Sequence, residues 1–220
     1  VSTGINLGKG ISGGPGQEKR GASLQPVLEK LLGESLAAYE LVQHLIEREN
    51  IDCHFEPRGR FVGAFTADHF PGLQKKADML NRLLQVGARV VSKDQQREEI
   101  GSDFYHGGLV IERSGKLHPA LFHKGLLDAC AAAGVTLCAH TKVTGITGSP
   151  GAFVVNTERG PCRAEHVIVA TNGYTGDLSP KLRKKLVPIA SQIIATEELP
   201  EDLAREMIPN GRTISETPDR

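Results

Sequence analysis

The sequence predicts a mixed α/β fold, and three features of the chain support that fold class. Stretches with apolar residues three and four positions apart, typical of amphipathic helices, alternate with short runs rich in valine and isoleucine, typical of strands. One such run, 167–170, has four consecutive apolar residues, which indicates a strand buried on both faces. With 220 residues, 39% of them hydrophobic, the chain can form one large packed domain or two small ones.

Charge and cysteine content argue against several classes of protein. Lys and Arg number 26 and so do Asp and Glu, so the chain has no net attraction to nucleic acid or to an anionic membrane. No apolar run approaches the roughly 20 residues of a membrane-spanning helix, and no signal peptide is recognisable. The cysteines form no Cys-x-x-Cys pair and have apolar neighbours, which predicts buried, reduced thiols, no metal site and a cytosolic protein. They are Cys53, Cys130, Cys138 and Cys162.

Periodicity and turn residues predict the elements of the first half of the chain. The glycine-rich residues 1–20 resemble a phosphate-binding loop, but no apolar strand precedes them, so we expect a flexible or extended segment. A long helix, a β-hairpin, a second helix, a short strand and a short helix capped by Ser92 follow in this order. Their predicted ranges are 24–49, 51–55 with 60–66, 67–86, 89–91 and 93–99.

A further strand, predicted at 105–111, contains the neighbouring glycines Gly107 and Gly108. A glycine pair inside a strand indicates a bulge or a close approach of a ligand to the backbone. His106 precedes the pair and could serve as a catalytic base. A single histidine without a visible partner is more often structural, and both interpretations stay open here.

The second half of the chain predicts one helix and then mainly strands. Pro119 lies in the first turn of a helix that begins near residue 117, and Gly134 ends that helix. The basic segment 181–185 is expected to be solvated, and a short helix is expected at 201–207. Strands are predicted at 135–139, 141–146, 152–157, 162–170, 186–196 and 212–217, the third and fourth pairing across a turn.

The strand that ends at Ala170 leads into a turn of three permissive residues. Gly173 permits a positive φ angle, Asn172 tolerates one, and Thr171 supplies a hydroxyl. Ligands of open α/β sheets bind at the carboxyl ends of strands. These residues alone leave an ordinary turn and a ligand-binding turn equally open.

Five segments occur in a characteristic order through essentially the whole chain. The first three are a helix start with Leu-His-Pro (115–120), a Gly-Val pair (134–135) and a Thr-Lys-Val strand (141–143). The last two are a strand that ends in Ala-Thr-Asn-Gly-Tyr (164–175) and a Pro-Ile-Ala-Ser strand (187–191). This order resembles the D-amino-acid oxidase and glycine oxidase superfamily of FAD-dependent oxidoreductases. Within the superfamily, the chain is most similar to the gamma-glutamylputrescine oxidoreductase branch.

The resemblance implies two domains, each present in part. Residues 1–50 and 113–178 would form part of a Rossmann-like FAD-binding domain. Residues 51–112 and 179–220 would form part of a substrate domain built on an antiparallel sheet.

The resemblance also implies site residues, none of them a catalytic acid or base. On the cofactor side, the main chain of Val143 would lie beside the adenine of FAD. The turn after the buried strand would approach the adenosine and pyrophosphate, through Ala170, Thr171, Asn172 and Gly173. The implied substrate-side residues are Tyr105, His106 and Gln192.

The implied activity is oxidation of the C–N bond of a small amine or amino acid to an imine by hydride transfer to flavin, with gamma-glutamylputrescine as one candidate substrate. Superfamily members begin with a strand and a Gly-x-Gly-x-x-Gly turn and end with another glycine-rich FAD segment. The chain shows neither, so we expect a central fragment that lacks its N- and C-terminal partner segments, binds FAD weakly or not at all by itself, and is inactive alone. A non-catalytic binding or scaffold module is the alternative, whereas a nicotinamide-dependent dehydrogenase is disfavoured by the hairpin before the Ala-Thr-Asn-Gly strand.

Overall fold

A computed structural model describes residues 18–187, 189 and 192–217. The glycine-rich segment 1–17 and three residues of the Pro-Ile-Ala-Ser segment, at 188, 190 and 191, lie outside the described residues. The chain divides into two compact units, the first formed by 1–133 and 198–220 and the second by 134–197. The predicted mixture of helices and sheets is confirmed.

The described residues form five α-helices and seven strands. The helices are α1 (Glu18–Arg48), α2 (Phe70–Leu84), α3 (Pro119–Ala132), α4 (Pro180–Arg183) and α5 (Glu201–Met207). The strands are β1 (Arg60–Gly63), β2 (Ala88–Val91), β3 (Gly108–Ile111), β4 (Val143–Ser149), β5 (Ala152–Thr157), β6 (Gly160–Ala164) and β7 (Thr213–Glu216). No described helix is both long and apolar enough to cross a membrane.

The first unit is built on a four-stranded sheet of order β2-β3-β1-β7. Strand β3 pairs antiparallel with both β1 and β2, whereas β1 and β7 run parallel. Helices α1 and α2 cover one face, where Leu32 and Leu73 pack against Val62 and Leu109. Burial of each such side chain contributes about 1.5–3 kcal/mol to folding.

The opposite face of this sheet carries a second, smaller core. Phe61, Val91 and Val110 are buried there, with Tyr105 and Ile214 packed against them. Side chains alternate between the two faces of a strand, so β1 sends Val62 toward the helices and Phe61 away from them. The sheet is therefore buried on both sides.

The hairpin predicted between 51–55 and 60–66 is wrong. Residues 51–55 form no strand, and Glu56 makes a single antiparallel bridge with Lys116. Strand β1 is instead central in the sheet, and β3 and β7 satisfy its hydrogen bonds on both sides. Local turn residues cannot indicate such distant partners, which is why the sequence favoured a hairpin.

Several elements of the first unit agree with prediction. The helices predicted at 24–49, 67–86 and 201–207 and the strands at 89–91 and 212–217 are present with small shifts of their ends. Ser92 precedes a short 3-10 helix, but its hydroxyl donates to Oε1 of Gln95 at 3.0 Å and does not cap the backbone. All four cysteines are free, as predicted, but only Cys53 is buried, and the predicted burial of the other three is wrong.

The second unit contains the antiparallel sheet β4-β5-β6. The strands predicted at 141–146 and 152–157 are confirmed, as is the pairing of β5 with β6. The strand predicted at 162–170 ends at Ala164, and 135–139 forms no strand. The described residues of 186–196 also form no strand.

The run 166–170, predicted to be a strand buried on both faces, is exposed and outside any strand. Ile168 is 91% exposed, and Val169 is 39% exposed. A strand forms only where a neighbouring strand accepts its backbone hydrogen bonds, and none of the described strands lies beside this run. The apolar composition of this run is typical of a strand, but composition does not show whether another strand lies beside it.

Candidate functional site

A loop in the first unit, residues 102–107, carries two of the substrate-side candidates. The buried side chain of Gln96 holds both ends of this loop: its Nε2 donates to the carbonyl of Ser102 at 2.8 Å, and its Oε1 accepts from the N–H of Gly107 at 2.9 Å. The N–H of His106 donates to the carbonyl of Ala64 at 3.0 Å. The loop is therefore fixed to the sheet at three points.

The glycine pair at 107–108 is explained by the protein's own packing. A Cβ on Gly108 would lie 2.4 Å from the ring of Phe61, and one on Gly107 would lie 2.6 Å from the ring of Phe70. Real Cβ atoms do not approach so closely, so only glycine fits beneath these rings. The close backbone approach expected at this pair comes from side chains of the same unit.

Tyr105 lies across the ends of two strands. A Cβ on Gly63 would lie 2.5 Å from its ring, so the ring rests directly on the backbone of β1. Gly63 and Glu216 are register partners on β1 and β7. The Tyr105 hydroxyl reaches Glu216 and donates to Oε2 at 3.5 Å. Burial, together with the negative charge of Glu216, raises the pKa of Tyr105, so the hydroxyl remains a donor at neutral pH.

Three further rings continue from Tyr105 over this end of the sheet. Phe104 meets Tyr105 edge to face with ring centroids 5.2 Å apart, and Phe65 meets Phe104 at 5.6 Å. Phe61 supports Tyr105 from within the core at 6.3 Å. Phe104 is 60% exposed. The loop thus presents an aromatic surface beside a carboxylate.

A network of charged side chains fixes the start of β7, and with it the position of Glu216. Glu99 is 1% exposed and accepts hydrogen bonds from Arg89 at 2.5 Å, Arg212 at 2.7 Å and Asn210 at 3.0 Å. Arg212 also donates to both oxygens of Glu112, at 2.7 and 3.0 Å. Burial by itself raises the pKa of Glu99, but these hydrogen bonds outweigh burial and hold that pKa below its ordinary value.

Replacing Gln96 with leucine is expected to destabilise the first unit by about 2–4 kcal/mol, because the Gly107 N–H and the Ser102 carbonyl would both lose a buried partner. Hydrogen exchange at the Gly107 amide should accelerate as well. Gln95→Leu is the matched control, since Gln95 is exposed and its side chain accepts a hydrogen bond from the Ser92 hydroxyl and from no other described residue. Equal stability of the two variants in urea unfolding would contradict this assignment.

The cofactor-side candidates all lie in the second unit. Val143 begins β4 and is the register partner of Thr157. The other four occupy an exposed turn, in which Asn172, and not Gly173, adopts the positive φ angle, at 46°. Asn172 begins a 3-10 turn that ends at Tyr174.

The donors and acceptors of this turn fit a nucleotide cofactor. Among the described residues, none accepts a hydrogen bond from the backbone N–H groups of 170–173. The Thr175 hydroxyl donates to the Asn172 carbonyl at 2.7 Å, so the Thr171 hydroxyl, 2.7 Å from it, donates to Thr175 and presents a free acceptor. Open N–H groups suit phosphate oxygens, and the free acceptor suits a ribose hydroxyl.

The structure brings together only part of the predicted site within each unit. Tyr105 and His106 share one loop of the first unit, whereas Gln192 belongs to the second unit and is exposed. His106 makes no side-chain hydrogen bond with a described residue, so its role as a base stays a prediction. Sequence reasoning missed Phe104, Gln96 and Glu216; the aromatic pair before the glycines was the one available local signal.

Comparison with known proteins decides the family. The family model described as FAD dependent oxidoreductase (DAO) matches residues 6–220. The chain belongs to the DAO family of FAD-dependent oxidoreductases. The family is described as FAD-dependent, which agrees with the cofactor that the sequence predicts.

Two curated relatives support membership of the DAO family. The chain is 34% identical over 178 residues to gamma-glutamylputrescine oxidoreductase of Escherichia coli, covering 80% of this chain and 41% of the relative. It is 29% identical over 191 residues to the oxidoreductase OrdL of Haemophilus influenzae, covering 84% of this chain and 44% of the relative. The chain therefore spans less than half the length of these DAO relatives.

Solved structures show the same fold. Glycine oxidase from Geobacillus kaustophilus superposes with a TM-score of 0.56 at 22% identity, covering 72% of this chain and 42% of that one. L-proline dehydrogenase from P. horikoshii superposes with a TM-score of 0.57 at 16% identity, covering 64% and 38%. At such identities the superpositions establish the DAO fold alone.

Proposed function

We propose that this chain contributes a cofactor-binding turn and a substrate-side sheet to an enzyme that oxidises the C–N bond of an amine or amino acid. The match of the DAO family over 6–220 carries this proposal. The name of the 34% identical relative, gamma-glutamylputrescine oxidoreductase, supports an amine as substrate and makes that compound one candidate. FAD, when bound, supplies the acceptor for hydride from the carbon next to nitrogen.

The roles of the chain's own residues follow from their chemistry. The turn at 170–173 holds the nucleotide through its open N–H groups and the Thr171 oxygen. Val143 contributes its main chain from the start of β4. Tyr105 and its neighbours form a wall of the substrate side. The nitrogen that reacts must be neutral, since its lone pair assists loss of hydride, so no carboxylate should lie against it.

Replacing Asn172 tests the cofactor side of this proposal. In the protein expressed from its complete gene, Asn172→Val should weaken FAD binding about tenfold, because a β-branched residue is strained by about 1–2 kcal/mol at a positive φ angle. Asn172→Gly should bind FAD nearly as well as the unchanged protein. Affinity is measured by flavin fluorescence on titration into flavin-free protein.

Asn50→Val supplies the matched control for this experiment. Asn50 has a φ angle of 49°, so the variant carries the same backbone strain in the first unit. It should leave FAD affinity unchanged. Unaltered affinity in Asn172→Val, or an equal loss in Asn50→Val, would argue against the turn as part of the cofactor site.

Two further expectations from the sequence remain predictions. The first is that the protein is cytosolic. The other is that residues 1–220 by themselves bind FAD weakly and do not turn over, because the sequence has no glycine fingerprint preceded by an apolar strand. A purified 220-residue chain that carries the colour of bound flavin would contradict the second.

A further inference from the structure

We propose that Phe104, Tyr105 and Glu216 form a subsite for a positively charged group of the substrate, remote from the C–N bond that is oxidised. The inference rests on the proposed function for the identity of its ligand as a substrate. Its evidence is the placement of exposed aromatic rings beside a carboxylate at the end of strands β1 and β7 in the first unit's sheet.

Aromatic rings and a carboxylate together favour ammonium and guanidinium groups. The face of an aromatic ring attracts a cation within about 6 Å of its centroid, and a carboxylate adds direct charge attraction. Phe104 and Tyr105 lie 5.2 Å apart with their planes at 84°, so the two rings expose differently oriented surfaces. Their combined surface is accessible, since Phe104 is 60% exposed.

Glu216 retains the capacity to bind a cation. It is exposed, and within the part of the chain that the structure describes its carboxylate accepts one hydrogen bond, from the Tyr105 hydroxyl at 3.5 Å. No Lys or Arg among the described residues forms an ion pair with it. Every other acidic residue of the charged network that anchors β7 is paired with arginine, as Glu99 and Glu112 are with Arg212. The carboxylate at the end of β7 is therefore open to a cationic ligand.

The position of the subsite is rigid. Gly63 supports the Tyr105 ring, Gln96 holds the loop, and the register of β1 with β7 fixes Glu216 beside both. A preorganised site loses little conformational freedom when it binds.

The amine nitrogen that is oxidised is not the group that binds beside Glu216. A carboxylate stabilises the protonated form of a nearby amine, whereas oxidation requires the neutral form. The group at Glu216 is therefore a second cationic centre of the same substrate. The class of substrate that this predicts is an amine or amino acid with an additional ammonium or guanidinium group.

Binding of small amines to the flavin-free protein expressed from its complete gene tests the subsite without turnover. NMR titrations with 1,4-diaminobutane should perturb the resonances of Phe104, Tyr105 and Glu216, whereas 1,4-butanediol should not. Glu216→Gln should weaken diamine binding about fivefold and Phe104→Leu about threefold, in line with an exposed ion pair and a cation–π contact. Glu47→Gln, an exposed glutamate of α1, is the matched control and should have no effect.

The outcomes separate this inference from the proposed reaction. Unperturbed resonances, equal binding of the diol, or unchanged affinity in Glu216→Gln would each overturn the subsite. Glu216-dependent binding of the diamine supports the subsite even if amines fail to reduce the flavin of the holoenzyme, a result that would count against the reaction alone. Reduction by amines with no effect of Glu216→Gln on diamine affinity would leave the reaction standing and remove the subsite.

Discussion

Arg212→Met is expected to lower the free energy of unfolding of the first unit by about 3–5 kcal/mol at neutral pH. The variant leaves the carboxylate of Glu99, 1% exposed, without its closest buried cation. It also removes both hydrogen bonds to Glu112 and one to the carbonyl of Arg58. Glu99 keeps its contacts with Arg89 and Asn210, but a buried carboxylate that loses one of its two arginines is only partly compensated, and water cannot replace the lost partner. Urea unfolding of the variant and the unchanged chain measures the difference.

The matched control for this substitution is Arg205→Met on α5. Arg205 pairs with Glu201 one helical turn away, and both side chains are exposed. Exposed pairs of this kind contribute about 0.3–0.5 kcal/mol, so the control should unfold almost like the unchanged chain. Similar losses in Arg205→Met and Arg212→Met would show that the buried network has no special role.

The same network predicts how stability depends on pH. Hydrogen bonds outweigh burial and hold the pKa of folded Glu99 below its value in the unfolded chain. Its contribution to stability is therefore complete above the unfolded pKa and is lost as the pH falls through the folded pKa. In Arg212→Met the carboxyl loses a main partner, so the loss of stability attributable to Glu99 on acidification should be smaller than in the unchanged chain.

Phe61→Ala is the second substitution with a large expected effect, a loss of about 3–5 kcal/mol. The Phe61 ring is completely buried, and it packs with Val91 and Val110 beneath Tyr105. Removal leaves a cavity that the sheet cannot close, because the backbone of β1 is held by strands on both sides. Thermal unfolding followed by circular dichroism provides the measurement.

Phe104→Ala is the matched control for Phe61→Ala. Phe104 belongs to the same group of rings but is 60% exposed, so its loss should cost about 1 kcal/mol or less. If Phe61→Ala were no more destabilising than Phe104→Ala, the core formed by Phe61, Val91 and Val110 would not contribute to stability as proposed.

Local patterns predicted the elements that are determined locally. The spacing of Leu73, Ala77 and Leu80 predicted the buried face of α2, and all three side chains are buried. Pro119 in the first turn and Gly134 after the last turn predicted the bounds of α3. Such signals depend on contacts within a few residues, which the sequence displays directly.

Pairing between distant segments could not be predicted in the same way. The run 166–170 has the composition of a buried strand, yet no described strand pairs with it. Tyr105 and Glu216 are 111 residues apart and meet only because β1 and β7 are parallel neighbours. The carboxylate of the candidate subsite therefore had no signal in the sequence, whereas the family resemblance implied Tyr105 as a substrate-side residue.

Anaerobic reduction of bound flavin tests the central claim most directly. The protein expressed from its complete gene is loaded with FAD, freed of oxygen and mixed with a panel of amines and amino acids, each beside the corresponding alcohol or hydroxy acid. We predict that at least one amine bleaches the absorbance of oxidised flavin and that its oxygen counterpart does not. An oxidised spectrum that persists with every amine, while dithionite bleaches it, would contradict amine oxidation and favour a non-catalytic module with the same fold.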